Sequence, residues 1–178
     1  MRRHHHRISK DVDIFVPDPQ WLGYLTPRLN PIAESLTSDY VEQAGFIKLY
    51  FIEGEIDFVV SAPLTADPTM TEELFGRAVQ VETSAEIIAK KVWHRGAGFT
   101  ARDLFDFALI ALKEPQALIG TGPIFEARRD VLIRRLATHE AALREDFAAL
   151  DVLDFTPSYD ECIETVRQLL QTPGRGRA

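Results

Sequence analysis

Two aspartates on one face of a predicted β-strand constrain this chain most. Residues 8–16 alternate with a period of two, which is typical of a half-buried strand. Asp11 and Asp13 share one face, and the opposite face carries Val12, Ile14 and Val16. The segment therefore predicts a strand that presents two carboxylates on the side away from its apolar side chains.

A predicted hairpin supplies a third aspartate. Apolar, β-rich runs at residues 46–52 and 55–60 flank Glu53-Gly54, which predicts an antiparallel hairpin with a two-residue turn. Asp57 shares a face of the second strand with Glu55 and Val59. A carboxylate in an apolar strand is costly to bury alone, so Asp57 needs a cation, a partner or solvent. A face open to solvent is the simpler alternative.

Three carboxylates on neighbouring strands can hold one or two divalent ions. Mg²⁺ prefers oxygen ligands and commonly bridges protein carboxylates to substrate phosphates. Asp11, Asp13 and Asp57 are therefore the candidate ligands of Mg²⁺ or Mn²⁺, and phosphoryl or nucleotidyl transfer is the chemistry that such a site favours. An Asp-x-Asp pair alone is a weak signal.

Helix-start signals predict that most of the remaining chain is helical. Asp18-Pro19 predicts the start of a short helix that breaks near Pro27 or Pro31. Thr83 and Thr100 each stand three residues before an acidic residue, at capping-box spacing, and predict two helices. Two later helices are predicted to begin at Gly122-Pro123 and Thr156-Pro157. We expect an α+β chain with a β-rich first half and a helical second half.

Charge and composition narrow the function classes. The formal net charge of −7 argues against a uniformly basic nucleic-acid binder. No apolar run reaches the ~20 residues that span a bilayer, so we expect a cytoplasmic protein with no membrane partner. The single cysteine, Cys162, lies in a helical pattern that predicts a buried, inert thiol. Local basic patches could still form from Arg2, Arg3, Arg7, Arg128, Arg129, Arg134 and Arg135.

Four segments resemble, in order, the motifs of a known bacterial family. They are residues 6–15 (HRISKDVDIF), 54–59 (GEIDFV), 86–91 (EIIAKK) and 101–106 (ARDLFD). The pattern is similar to that of the AbiEii/AbiGii nucleotidyltransferase toxins, within the DNA polymerase β-like nucleotidyltransferase superfamily. This resemblance implies a mixed β-sheet core with flanking helices in residues 1–82 and a helical bundle in residues 83–172, and we expect a flexible tail in residues 173–178.

The resemblance also implies roles for individual residues. Asp11 and Asp13 become the metal-binding pair and Asp57 the third carboxylate. Lys91 matches the family's helix lysine, whose ammonium would contact the phosphates of the nucleotide. Lys90 is the alternative if the register is shifted by one residue, and it is also assigned to nucleotide binding.

The Arg-Asp-x-x-Asp element is the most specific part of the resemblance. Either Asp103 or Asp106 should be the family's essential aspartate, which positions the acceptor hydroxyl or acts as general base. Arg95 and Arg102 could bind phosphate, or could instead pair with these aspartates. Ser9, in the first motif, is also assigned to nucleotide binding.

One family feature is expected to be missing. Family members carry a Gly-Ser or Gly-Gly-Thr turn roughly ten residues before the first aspartate, whose amides approach the nucleotide phosphates. Here that position falls before Met1, which indicates either a longer natural protein or a relative with an impaired nucleotide site.

The resemblance implies a metal-dependent nucleotidyltransferase of toxin–antitoxin type. It would transfer a nucleotide from an NTP to an RNA acceptor, with tRNA implied by the better-known members, and would have a cognate antitoxin. Two alternatives stay open. One is a small-molecule nucleotidyltransferase, which suits the acidic net charge, and the other is a catalytically silent binding module of the same fold.

Overall fold

The computed structural model describes residues 4–171, which form two compact units. Ser9–Ala62 make one, called here the sheet unit. The described residues up to Ile8 and those from Pro63 onward make the other, the helical unit. The sequence-based boundary after residue 82 differs from this grouping of contacts and stays a prediction about functional domains. Residues 173–178, predicted to be a tail, lie outside the described residues.

The sheet unit is built on a four-stranded mixed sheet in the order β1-β4-β3-β2. Strand β1 runs parallel to β4, whereas β4, β3 and β2 pair antiparallel. The predicted mixed sheet with flanking helices is confirmed. The elements in chain order are β1 (Asp11–Val16), a 3₁₀ turn (Pro19–Trp21), α1 (Leu22–Leu25), α2 (Pro31–Leu36), β2 (Tyr40–Gln43), β3 (Phe46–Tyr50) and β4 (Glu55–Val60).

The predicted period-two pattern places the core of this unit. Alternate side chains of a strand point to opposite faces, so one face of the sheet is apolar and the other is polar. The buried apolar side chains are Val16, Leu22, Ile47 and Leu49. The helix start predicted at Asp18-Pro19 is observed, because Asp18 caps the 3₁₀ turn. A second start, at Asn30 followed by Pro31, opens α2.

The hairpin between β3 and β4 is present, but its turn lies one residue earlier than predicted. Phe51 and Gly54 exchange two backbone hydrogen bonds, of 2.9 and 3.3 Å, which leaves Ile52-Glu53 as the turn. Gly54 does a different job. A Cβ atom there would lie 2.0 Å from the carbonyl oxygen of Lys10, so glycine permits the chain entering β1 to approach β4.

The helical unit contains a hairpin that no sequence signal predicted. Its turn residues, Phe75 and Gly76, both have positive φ, 52° and 74°, as a type I′ turn requires. Phenylalanine is an unusual choice for that conformation, which hides the turn from a search for Asn-Gly or Asp-Gly. The strands are β5 (Thr69–Leu74) and β6 (Arg77–Glu82).

Helix α4 is the centre of the helical unit. Nine of its residues between Ala101 and Ile110 are buried, and the seven apolar ones share one large core with residues of α5, α6 and α7. No helix within residues 4–171 is long and apolar enough to cross a membrane. The helices are α3 (Ser84–Lys90), a π-helical turn (Lys91–Arg95), a 3₁₀ turn (Gly96–Gly98), α4 (Ala101–Lys113), a 3₁₀ turn (Pro115–Leu118), α5 (Gly122–Thr138), α6 (Glu140–Ala148) and α7 (Tyr159–Gln171).

The start of the described chain is fixed to this helical unit by backbone pairing. Leu153 N–H donates to the carbonyl of His6 at 2.8 Å, and Ile8 N–H donates to the carbonyl of Asp151 at 3.0 Å. The pairing holds the segment before β1 in a defined place and leaves His6 buried. Local sequence patterns do not predict it, because the two paired segments are more than a hundred residues apart in the chain.

Candidate functional site

The predicted carboxylates share one face of the sheet. Across the parallel pairing of β1 and β4, Asp13 is the register partner of Asp57, and Asp11 is the partner of Glu55. Register partners in adjacent strands point to the same face. The prediction that Asp11, Asp13 and Asp57 lie together on neighbouring strands is therefore confirmed, and Glu55 is a fourth carboxylate on this face.

A lysine on β3 forms ion pairs with two of these carboxylates. Lys48 lies opposite Asp57 on β3, and its Nζ is 2.6 Å from Glu55 Oε2 and 3.1 Å from Asp57 Oδ2. Burial by itself lowers the pKa of Lys48, but the hydrogen bonds to Glu55 and Asp57 outweigh it and raise the pKa above its ordinary value. Lys48 is thus a charged ammonium at this face.

One oxygen of this face is left unsatisfied. Asp57 Oδ1 is buried and has no hydrogen-bond partner within the described part of the chain. An unpaired buried acceptor costs about 1–3 kcal/mol, and more when it is charged. A carboxylate oxygen with this need, beside Asp13, fits the oxygen-ligand chemistry of Mg²⁺ or Mn²⁺.

The three aspartates are not gathered into a ready set of ligands. Among residues 4–171, no three His, Cys, Asp or Glu side chains are grouped so that they could hold a metal ion. Asp11 and Asp13 are two residues apart along an extended strand, which separates them by about 6–7 Å. Asp57 is drawn toward Lys48 through its other oxygen. The described residues thus show a shared face, and convergence of all three carboxylates on one ion stays a prediction.

The helical unit contains a second cluster of charges. We call it the Asp106 cluster, and its members are His6, Arg7, Lys91, Arg95, Asp103 and Asp106. Both aspartates are fully buried. Arg7 donates to both oxygens of Asp106, from Nε at 2.9 Å and from Nη2 at 2.8 Å. Lys91 Nζ donates to Oδ2 at 2.6 Å, and His6 Nε2 lies 2.9 Å from Oδ1.

Asp103 has partners of its own. Lys91 Nζ and Arg95 Nη1 each donate to Asp103 Oδ1 at 3.0 Å. Its other oxygen accepts from the backbone N–H and the hydroxyl of Thr100, which completes the predicted capping box of α4. Burial alone raises the pKa of Asp103, but Lys91, Arg95 and Thr100 outweigh burial and hold the pKa below its usual value.

Asp106 is ionised for the same reason. Burial raises its pKa, and the charges and hydrogen bonds of Lys91, Arg7 and His6 more than reverse the effect, so its pKa lies well below the usual range. A carboxylate with this many donors has no free oxygen for general-base work until a donor leaves. The prediction that Asp103 or Asp106 is the essential aspartate stays a prediction, whereas their placement on one face of α4 is confirmed by their shared contact with Lys91.

The two candidate lysines have different surroundings. Lys90 is buried and pairs with Glu82 and, at 3.6 Å, with Glu86. Lys91 retains 17% side-chain exposure while it contacts both aspartates. Nucleotide binding by either lysine stays a prediction, and the geometry favours Lys91 because part of its side chain remains accessible.

The other predicted site residues are spread over the chain. Ser9 is exposed two residues before β1, and Arg102 is exposed on α4. Arg95 adopts the ion-pair alternative with Asp103 while keeping half of its side chain exposed. Cys162 is buried, and burial raises its pKa to about 12, which confirms the expected inert thiol.

Two site residues were missed or misjudged from the sequence. Arg7 was considered only as part of a basic patch, and nothing local links it to Asp106, 99 residues away. The sequence does carry a signal for Lys48, namely the cross-strand register that the hairpin turn sets. The predicted turn at Glu53-Gly54 puts Tyr50 opposite Asp57, whereas the observed turn at Ile52-Glu53 puts Lys48 there.

Comparison with known proteins supports one family. The family model described as "Nucleotidyl transferase AbiEii toxin, Type IV TA system" matches residues 1–173. The fold is similar to a crystal structure of a candidate nucleotidyltransferase from H. pylori, with 15% identity, a TM-score of 0.52, and coverage of 94% of this chain and 80% of that one. JHP933 from Helicobacter pylori is matched at 14% identity and a TM-score of 0.46, over 94% and 77% of the two chains. No curated protein matches the sequence.

Proposed function

Because the chain belongs to the AbiEii nucleotidyl transferase toxin family of type IV toxin–antitoxin systems, we propose that it moves a nucleotide from an NTP to an RNA acceptor, namely tRNA, in a metal-dependent reaction. Family membership makes it a nucleotidyltransferase of toxin–antitoxin type. The proposal adds the metal, the NTP donor and the RNA acceptor. It also includes that the protein acts in the cytoplasm and that a cognate antitoxin opposes its activity.

The register pairing of Asp13 with Asp57 carries the proposal. These side chains lie side by side on the polar face of the sheet, and Asp57 Oδ1 is buried without a partner in the described residues. Asp11, Asp13 and Asp57 would hold Mg²⁺ or Mn²⁺. When bound, such an ion neutralises carboxylate repulsion and polarises the oxygens of a triphosphate.

The chain's own side chains have separate roles in this proposal. Lys48 limits the excess negative charge of the carboxylate face by pairing with Glu55 and Asp57. Ser9, two residues before β1, contributes a hydroxyl to nucleotide binding. Both assignments concern residues of the sheet unit.

The roles of the helical-unit residues rest on the family resemblance. Lys91 is proposed to bind phosphate, with Arg95 and Arg102 as further cations and Lys90 as the weaker candidate. Asp103 or Asp106 is proposed to position the acceptor hydroxyl or accept its proton. The contacts of both aspartates with Lys91 support at least a role in holding that lysine.

The test is transfer of label from each α-³²P-labelled NTP to total RNA, with Mg²⁺, Mn²⁺ or EDTA. We expect labelled RNA of tRNA size with one or more NTPs, only with a divalent ion, and a loss of at least about 100-fold in Asp57→Asn. Glu53→Gln, an exposed carboxylate in the same hairpin, is the matched control and should keep the parent rate. Equal transfer by Asp57→Asn contradicts the metal site, and label on small molecules alone contradicts the RNA acceptor.

A further inference from the structure

We propose that Arg7 is a positioning residue that neutralises Asp106 and thereby leaves the positive charge of Lys91 for a polyphosphate anion. This inference rests on the proposed function in one respect, which is that the natural anion is the triphosphate of the NTP. It assigns a role to Arg7, which lies before β1 in sequence yet belongs to the helical unit.

The charges of the Asp106 cluster do not cancel. Arg7, Lys91 and Arg95 bring three positive charges, and the ionised Asp103 and Asp106 bring two negative ones. One positive charge is therefore left over, even with His6 neutral. Excess positive charge in a mostly buried cluster is costly without an anion, because desolvation removes the water that would otherwise stabilise it.

The geometry indicates which cation carries the excess. Arg7 donates two parallel hydrogen bonds, one to each oxygen of Asp106. This bidentate pairing is a strong interaction between a guanidinium and a carboxylate. Arg95 faces Asp103 in the same neutralising role, at 3.0 Å. Lys91 spends two of its three N–H donors on these aspartates and keeps 17% exposure, so its third donor is available to an anion.

His6 and the backbone hold Arg7 in this arrangement. The carbonyl of His6 accepts from Leu153, and its ring stacks on Phe105 with centroids 5.9 Å apart. Arg7 itself forms a β-bridge with Val152. The guanidinium therefore reaches Asp106 from a segment fixed on both sides. Without Arg7, Asp106 would depend on Lys91 as its remaining formal cation, and the ammonium would be less available to an incoming anion.

The experiment measures binding of inorganic tripolyphosphate by isothermal titration calorimetry, with no divalent ion. Arg7→Met should weaken binding by about 10-fold, the usual effect of one charge-assisted contact. Arg7→Met combined with Asp106→Asn restores the leftover positive charge and should bind within about threefold of the parent. Asp106→Asn alone should bind at least as well as the parent. A double variant as weak as Arg7→Met, or weak binding by Asp106→Asn alone, overturns the inference.

Two variants separate positioning from folding. Arg7→Lys keeps the charge but loses the paired hydrogen bonds, so it should bind tripolyphosphate less tightly than the parent but by less than the 10-fold loss expected for Arg7→Met, and this result can be read even if Arg7→Met unfolds. Arg144→Met removes an arginine paired with Asp160 elsewhere in the helical unit and should leave binding unchanged. Absence of tripolyphosphate binding by the folded parent overturns the inference. If the parent binds but transfers no nucleotide, the proposed function fails alone. If it transfers while Arg7→Met binds normally, the role of Arg7 fails alone.

Discussion

Asp13 and Asp57 are register partners across the parallel pairing of β1 and β4, on the face of the sheet opposite its apolar core. The pairing links two distant sequence motifs in one surface. Lys48 flanks Asp57 on the other side, from β3. Three adjacent strands thus bring carboxylates and one ammonium together, and each of these charged side chains can be tested by its own substitution.

Replacement of Lys48 tests the charge balance of this face. Lys48→Met leaves Glu55 and Asp57 without their ammonium, so we expect unfolding to become easier by about 1–2 kcal/mol, a value reduced for partial exposure. Because a divalent ion can replace the lost charge, added Mg²⁺ should stabilise Lys48→Met more than the parent. Urea unfolding with and without Mg²⁺ measures both effects. Equal stabilisation of the two proteins by Mg²⁺ would contradict this account.

Gly54 tests the close approach of the chain to β4. Gly54→Ala places a methyl group 2.0 Å from the Lys10 carbonyl, so the backbone must shift and stability should fall by about 2 kcal/mol or more. Gly45→Ala is the matched control, since nothing lies within 4 Å of its added Cβ. Thermal unfolding of the two variants should differ clearly, and equal melting temperatures would show that the approach is easily relaxed.

Acid should destabilise the helical unit through its buried aspartates. The folded-state pKa values of Asp103 and Asp106 are lowered, so their contribution is present above the unfolded pKa of about 3.9 and is lost as the pH falls below it. Urea unfolding from pH 7 to pH 3 should show this loss. Asp106→Asn should show a shallower decline, and a slope identical to that of the parent would argue against the ion pairs.

The thiol of Cys162 provides a local probe of packing. It is fully buried, and its pKa is raised to about 12 by burial, so little thiolate exists near neutral pH. We expect very slow reaction with Ellman's reagent at pH 8 and fast reaction in urea. Rapid reaction of the folded protein would show that α7 is not packed as described.

The sequence predicts what depends on local periodicity. The alternation of residues 8–16 places Asp11 and Asp13 on one face of their strand, the alternation of residues 55–60 places Asp57 beside Glu55, and the capping pattern places Asp103 at the start of α4. These features follow from side-chain direction over a few residues, which a sequence displays directly.

Contacts between distant segments were beyond this kind of prediction. The bond between Arg7 and Asp106 joins residues 99 apart, and no periodic pattern relates them. An error of one residue in the β3–β4 turn moved the cross-strand register by two residues and hid Lys48. A small error in a predicted turn therefore leads to wrongly predicted partners across a sheet.

Binding of Mn²⁺, measured by electron paramagnetic resonance of the free ion, tests the carboxylate face most directly. The parent and the matched control Glu53→Gln should bind Mn²⁺ with equal affinity. Asp13→Asn and Asp57→Asn should each weaken binding by about 10-fold or more, because each removes one charged oxygen ligand. Equal Mn²⁺ affinity in Asp57→Asn and the parent would contradict a divalent-ion site at Asp13 and Asp57.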